Sequence, residues 1–221
     1  MQKQPSGKFI VNLVGNGKSY FLWNGTESYY KKLRSAYSEI SKKEESEHLF
    51  FSFFTLCAST LEYSLNFIIA DFCVAKYGPK NYKDYSEGYM GLPFRKKLLM
   101  VPSIISNRLY EIDNTHSSFK QLEEMITLRN RILHNKDFLK EFDFPKLNSK
   151  IADGGIVVPI EEAEIDFEFE VSTNHIDKLT REKCLKFGDA LGDFKKYIMT
   201  PSLNNELVEN SMIKKQEYVV D

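Results

Sequence analysis

Arg129, Asn130 and His134 are the residues of this chain whose types and spacing indicate chemistry. They lie close together in the segment LEEMITLRNRILHNK. An arginine binds a phosphate through paired N–H donors, and a histidine gains or loses its proton near neutral pH. The segment therefore combines an anion-binding side chain with a group that can transfer protons.

Arg129 stands in the middle of a predicted buried helix face. Apolar residues recur around it at helical spacing, and such a stripe packs against a protein core. A buried guanidinium is destabilising unless an acid, a phosphate or a partner subunit compensates its charge. Glu62 or Asp71, both in the most apolar segment of the chain, can supply that acid in a purely structural salt bridge. The residues of the stripe are Leu122, Met125, Ile126, Ile132 and Leu133.

The spacing of the three polar residues does not place them on one flat face. His134 lies about 140° around the helix axis from Arg129, while Asn130 lies one turn before His134 on the same face. An arginine side chain is long enough to lean across one turn. We therefore expect Arg129, Asn130 and His134 to converge at the rim where the apolar stripe meets a partner surface.

Positive charge accumulates locally around this motif. The whole chain has 30 basic and 31 acidic side chains, so its net charge of −1 does not favour a polyanionic partner. Between residues 129 and 140, however, only Asp137 opposes the basic side chains. Such a local excess attracts phosphate. The basic residues that follow Arg129 are Arg131, Lys136 and Lys140.

The elements that must position this motif are mainly helices. Thr26 is predicted to cap a helix over Glu27–Ile40. Ser41 and Glu44 form a capping box that opens a second, long helix. We expect that helix to end at Gly78, which precedes a proline.

The long second helix contains the most apolar segment of the chain, Leu49–Ala75, which is long enough to span a bilayer. Glu62, Asn66 and Asp71 interrupt it, and charges are costly in lipid. We therefore interpret it as the buried central helix of a cytoplasmic protein that contacts no membrane. The cysteines have no C-x-x-C spacing, which predicts free buried thiols in a reducing compartment. They are Cys57, Cys73 and Cys184.

The middle of the chain is predicted to contain a loop and shorter helices. Residues Lys80–Leu92 have the tyrosines and glycines of a loop, and Pro93 and Pro102 are each predicted to open a short helix. Ser118 begins a capping box that opens the helix of the motif. We expect this helix to reach at least Asp137.

Two β-hairpins are predicted to flank or interrupt the helices. The first covers 8–23 around an Asn-Gly turn. The second is inserted at 151–171, where the apolar run Gly155–Ile160 precedes the strictly alternating strand Ile165–Val171. The acidic residues over 161–170 form either a solvated strand face or a surface that docks a basic partner.

A last helix is predicted to start at a cap on Asn174 and to run to about Met199. Residues 201–221 are polar, and we expect them to be weakly ordered. Hydrophobic residues make up 42% of the chain, which excludes a disordered class, and no composition break divides it. The sequence therefore predicts one mainly α domain over 1–221, with four or five helices over 27–200.

The segment from Arg129 to His134, late in an all-α chain, resembles the R-x4-H signature of the HEPN superfamily. The resemblance includes the polar Asn130 directly after the arginine and the long apolar helix that carries Glu62. It extends over roughly Glu27–Thr200, apart from the hairpin. It implies an antiparallel four- to five-helix bundle that forms a homodimer, with two such motifs facing each other across a groove.

The resemblance also implies a function. Many HEPN proteins are metal-independent endoribonucleases that act as toxins or in anti-phage defence, and some associate with an antitoxin or another defence protein. Arg129 and His134 would then be catalytic, with Asn130 orienting the histidine or binding phosphate. Arg131, Lys136 and Lys140 would bind RNA. Cleavage by internal 2′-hydroxyl attack requires no metal or other cofactor.

Two alternatives to the ribonuclease remain open from the sequence. Other members of the superfamily are catalytically silent modules that dimerise or bind a partner protein. A chain unrelated to the superfamily could also carry Arg129 as a core salt bridge to Glu62 or Asp71. The position of His134 in a dimer distinguishes these alternatives from the enzyme.

Overall fold

The computed structural model describes residues 7–14, 18–42, 47–133, 150–152, 155–157, 176, 178–198 and 212–216. These residues form six helices and three two-stranded antiparallel sheets. The helices are α1 Thr26–Lys42, α2 Glu47–Tyr77, α3 Tyr82–Met90, α4 Phe94–Ile105, α5 Ser117–Leu133 and α6 Arg181–Ile198. The strands are β1 Gly7–Val14, β2 Lys18–Trp23, β3 Tyr110–Ile112, β4 Lys150–Ala152, β5 Gly155–Val157 and β6 Ile213–Lys215.

Helix α2 is the centre of the fold and packs against each of the other five helices. Because it is surrounded, it is apolar around most of its circumference rather than along one stripe. The buried hydroxyls of Thr60 and Ser64 donate to the carbonyls of Leu56 and Thr60, at 2.6 and 2.7 Å. The prediction of a central buried helix is confirmed.

The length and composition of α2 would also allow it to cross a membrane. Its most apolar window, however, is 61% buried inside the fold. Leu61, Leu65 and Ile69 have no exposed surface because neighbouring helices cover them. This burial is what the core helix of a soluble protein shows.

The predicted N-terminal hairpin is confirmed. Strands β1 and β2 pair antiparallel, in a register that runs from Gly7 opposite Trp23 to Val14 opposite Lys18. The hairpin joins α1 at Gly25, whose N–H donates to the Tyr63 hydroxyl of α2 at 3.0 Å. A Cβ atom at position 25 would lie 2.7 Å from that oxygen, so the absent side chain allows the junction to rest on α2.

The predicted caps of the first two helices are wrong. Thr26 is the buried first residue of α1, and its N–H donates to Asn24 Oδ1 at 3.0 Å. Ser41 lies in the last turn of α1, where its hydroxyl donates to the Tyr37 carbonyl at 2.7 Å, so it does not open α2. Glu44 lies outside the described residues. A serine or threonine hydroxyl can bond a carbonyl inside a helix instead of capping the next helix. The spacing of Ser41 and Glu44 does not distinguish these two roles.

The segment predicted as a loop over Lys80–Leu92 contains the helix α3. It forms because α3 packs on the end of α2, where the Tyr77 and Tyr85 rings stack with centroids 3.7 Å apart. Pro93 precedes the first residue of α4, but Pro102 lies inside α4 instead of opening another helix. Burial of the α4 face against α2 keeps this helix continuous through its proline.

Helix α5 begins one residue before the predicted cap. The N–H of Ser118 donates to His116 Nδ1 at 3.2 Å, and the Ser118 hydroxyl donates to Asp193 of α6. His116 therefore caps α5, whereas Ser118 ties α5 to α6. The described part of α5 ends at Leu133, so its predicted continuation to Asp137 lies outside the described residues.

The last helix and the C-terminal segment also differ from the prediction. Thr180 caps α6, since its hydroxyl oxygen accepts the N–H of Lys183 at 3.3 Å, and the predicted cap Asn174 lies outside the described residues. Within the segment predicted as a weakly ordered tail, β6 pairs with β3. Met212 and Ile213 are buried in the core, at 0% and 1% exposed.

The structure describes only part of the predicted inserted hairpin. Strand β5 pairs antiparallel with β4, which precedes it, with Ile151 opposite Ile156. The predicted partner strand, Ile165–Val171, lies outside the described residues, together with the acidic segment 161–170.

Candidate functional site

The buried part of the apolar stripe of α5 ends at Arg129. Met125 and Ile126 are at most 1% exposed, while Ile132 is half-buried and Leu133 is 56% exposed. Within the single chain, the stripe is therefore buried as far as Arg129, and its C-terminal end faces solvent. Leu128, outside the predicted stripe, is buried. Arg129 stands where α5 passes from the core to the surface, and its side chain is 23% exposed.

Arg129 contacts the acid that the sequence singled out. Its Nη2 lies 3.4 Å from Glu62 Oε2 of α2, and its Nη1 donates to Asn130 Oδ1 at 3.1 Å. The guanidinium carbon lies 5.7 Å from the centroid of the Phe94 ring in α4. Asp71 follows Glu62 by nine residues on α2, about 13 Å further along the axis, so Glu62 is the acid at this site.

A second cation, Lys97 of α4, enters the same group, and the sequence analysis missed it. Only 4% of Lys97 is exposed, and its Nζ donates to Asn66 Oδ1 of α2 at 2.9 Å. The same Nζ lies 3.9 Å from Glu62 Oε1. A signal was present, because Lys97 shares helical spacing with Phe94 and Val101 on the buried face of α4.

Burial lowers the pKa of Lys97, because the charged ammonium loses hydration inside the fold. The Glu62 carboxylate opposes this decrease, and the Arg129 guanidinium adds to it. We call Glu62, Asn66, Lys97, Arg129 and Asn130 the basic cluster. It contains two cations and one carboxylate, and is therefore suited to a further anion.

A pocket adjoins the basic cluster between α2 and α5, with a volume of about 70 Å³. Arg129 and Glu62 lie at its wall, so an anion can reach the guanidinium without opening the core. The first and last α2 residues of the wall, Phe51 and Glu62, are eleven residues apart, about 16 Å along the helix. The remaining lining residues are Phe51, Phe54, Thr55, Ala58, Ser59, Ile132 and Leu133.

The structure brings together only part of the predicted site. Arg129, Asn130 and Glu62 are in contact, and Arg131 is exposed on α5. The remaining predicted site residues, His134, Lys136 and Lys140, lie outside the described residues.

The cysteines do not contribute to this site. Cys57, Cys73 and Cys184 are free and buried, as predicted. Burial raises the pKa of Cys184 to about 11, and the pKa of Cys57 is also raised, so these thiols stay protonated and are poor nucleophiles.

Within the described ranges, no group of three or more His, Cys, Asp or Glu residues is placed to hold a metal ion.

Comparisons of the chain with protein-family models, with curated proteins and with solved structures found no match. The chemistry of the basic cluster is therefore the basis for assigning a function to this chain. Its main feature is a partly exposed arginine whose carboxylate partner is shared with a second, buried cation.

Proposed function

We propose that this protein is a metal-independent endoribonuclease of the HEPN type, with Arg129 and His134 as the essential pair. The observation that supports the proposal is the position of Arg129 at the edge of the core, 23% exposed, beside a pocket. A fully enclosed arginine could not reach an anion outside the fold. Here the guanidinium is accessible to a phosphodiester.

The proposed reaction is cleavage of RNA by attack of the ribose 2′-hydroxyl oxygen on the adjacent phosphorus. The P–O bond to the 5′ oxygen breaks, and the products are a 2′,3′-cyclic phosphate and a 5′-hydroxyl. His134 exchanges a proton with the 2′-hydroxyl or with the leaving oxygen. Arg129 holds the phosphate and its additional transition-state charge. Asn130 accepts a hydrogen bond from Arg129 and so orients the guanidinium.

The proposal includes a HEPN-like antiparallel bundle that forms a two-fold homodimer through α5. An apolar edge supports this interface, since the exposed Leu133 and half-buried Ile132 adjoin Phe51 of α2 at the pocket. Arg131, within the motif, and Lys136 and Lys140, after it, would bind the RNA backbone. We place the protein in the cytoplasm, as a toxin or anti-phage effector that an antitoxin or another defence protein restrains.

The test is incubation of the purified protein with mixed RNA in excess chelator. We expect cleavage to persist, with 5′ fragments that end in a 2′,3′-cyclic phosphate, and His134→Ala to reduce the rate by roughly 10²-fold or more. His48→Ala, which replaces an exposed histidine at the start of α2, is the matched control and should remain active. A strict requirement for magnesium, or a fully active His134→Ala variant, would exclude this mechanism.

The second candidate is a catalytically silent module of the same type that binds a partner protein. The contact between Arg129 and Glu62 favours it, because a compensated arginine can serve the fold alone. This candidate predicts no cleavage by the wild type. It also predicts that charge reversal at Arg131, exposed on α5, weakens the dimer without changing any activity.

A further inference from the structure

The Glu62 carboxylate bridges the two cations of the basic cluster. Its Oε2 lies 3.4 Å from Arg129 Nη2, and its Oε1 lies 3.9 Å from Lys97 Nζ. Both distances exceed the roughly 2.7–2.9 Å of a strong charge-assisted hydrogen bond. Neither cation therefore binds this carboxylate strongly.

The other contacts in the cluster hold the two cations independently of Glu62. Lys97 donates its short hydrogen bond to Asn66, at 2.9 Å. Arg129 is oriented by Asn130 and by the Phe94 ring. Glu62 is the most exposed of the three charged side chains, at 37%, against 23% for Arg129 and 5% for Lys97. It is the charged member of the cluster that can move at the lowest cost.

We infer that Glu62 occupies the phosphate position of Arg129 in the free protein, and that a phosphodiester displaces it when substrate binds. The inference rests on the proposed function in that Arg129 is the phosphate ligand. Lys97 makes the exchange feasible, because it remains beside Glu62 and compensates its charge after Arg129 has turned to the phosphate. Glu62 is then a competitor that weakens anion binding, and Lys97 is a positioning residue.

The exchange predicts that loss of the Glu62 charge strengthens anion binding. Removal of a competing charge-assisted contact should raise the affinity of the cluster for phosphate by about tenfold or more. A static salt bridge predicts the opposite, because removal of Glu62 would then only damage the site. The sign of the change therefore distinguishes the two interpretations.

The experiment measures the thermal midpoint of unfolding. Sodium chloride is replaced by inorganic phosphate or by dimethyl phosphate at equal ionic strength. Ligands that bind the native state raise the midpoint. Glu62→Gln should show a larger increase than the wild type with both probes. Glu123→Gln is the matched control, since Glu123 of α5 pairs with Arg95 of α4 in an exposed position. It reports the general stabilisation by phosphate and should respond like the wild type.

Further variants keep the test decisive if Glu62→Gln folds poorly. Glu62→Asp retains the charge but shortens the side chain, and its response should lie between those of Glu62→Gln and the wild type. Lys97→Met leaves the displaced carboxylate without a cation, so its response should be weaker than that of the wild type. Arg129→Gln combined with Glu62→Gln should respond no more than Glu123→Gln.

Equal responses of Glu62→Gln and Glu123→Gln would overturn the inference. A response to inorganic phosphate without one to dimethyl phosphate would overturn the assignment to a phosphodiester. Neither probe involves RNA cleavage, so the result does not depend on whether the protein is a ribonuclease. A strong Glu62→Gln response in a protein that cleaves no RNA would leave the anion exchange standing and remove the ribonuclease.

Discussion

Replacement of Arg129 by alanine should destabilise the fold by about 1.5–3 kcal/mol and leave it folded. Loss of one partner from a fully buried ion pair costs about 3–5 kcal/mol, and from an exposed pair about 0–1 kcal/mol. Arg129 and Glu62 lie between these limits, at 23% and 37% exposed, and Lys97 remains 3.9 Å from the carboxylate. We therefore assign about 1–2 kcal/mol to the pair. Loss of the guanidinium–Phe94 contact adds about 0.5–1 kcal/mol.

Urea unfolding and the thermal midpoint both measure this change. For a chain of this size, 1 kcal/mol corresponds to about 2–4 °C, so the midpoint should fall by about 3–12 °C. Arg95→Ala, which removes the exposed partner of Glu123, is the control and should cost less than about 1 kcal/mol. The double variant Arg129→Ala/Lys97→Met should cost more than the sum of its single changes, because Glu62 then has no cation.

An Arg129→Ala variant that does not fold would refute this reasoning, because it would make the arginine a core salt bridge. Found together with a fully active His134→Ala variant, that result would end the ribonuclease hypothesis. A folded Arg129→Ala variant that has lost RNA cleavage is the outcome that the proposed function requires.

Four further predictions concern two glycines of α6, a buried thiol and the assembly of the protein. Gly188→Ala should destabilise by about 1–3 kcal/mol in urea unfolding, because its Cβ would lie 2.7 Å from Tyr37 Cδ2. Gly192→Ala, with no atom within 4 Å of its Cβ, should instead stabilise α6 by about 0.5–1 kcal/mol. The pKa of the Cys184 thiol is about 11 in the fold and about 8.5 in the unfolded chain. Between these two pH values, the thiol keeps its proton only in the native state. The free energy of unfolding should therefore fall as the pH rises through this range. It should fall less steeply with pH in the Cys184→Ala variant. Finally, light scattering at micromolar concentration should show a dimer, and a monomer with retained RNA cleavage would contradict the proposed assembly.

Local patterns in the sequence were sufficient to predict several secondary-structure elements and the pairing of Arg129 with an acid such as Glu62. The Asn-Gly turn between β-branched and aromatic runs predicts the first hairpin, because turn type and strand register are set by neighbouring residues. The length and apolarity of Leu49–Ala75 predict the central helix, whose burial is confirmed. Arg129 on an apolar stripe required a partner, and the carboxylate of Glu62 was one of two candidates.

Long-range packing decided the rest. The sequence of α3 predicts a loop, but the segment forms a helix because it packs against α2. Met212 and Ile213 lie in the core because β6 pairs with β3, about a hundred residues earlier in the chain. The same holds for the basic cluster, since Lys97 and Arg129 meet Glu62 only when α4 and α5 pack against α2. Helical spacing places Lys97 on a buried face, but it does not say which side chain of another helix will lie opposite. That pairing depends on how the helices cross, which is why tertiary structure alone revealed two cations around one carboxylate.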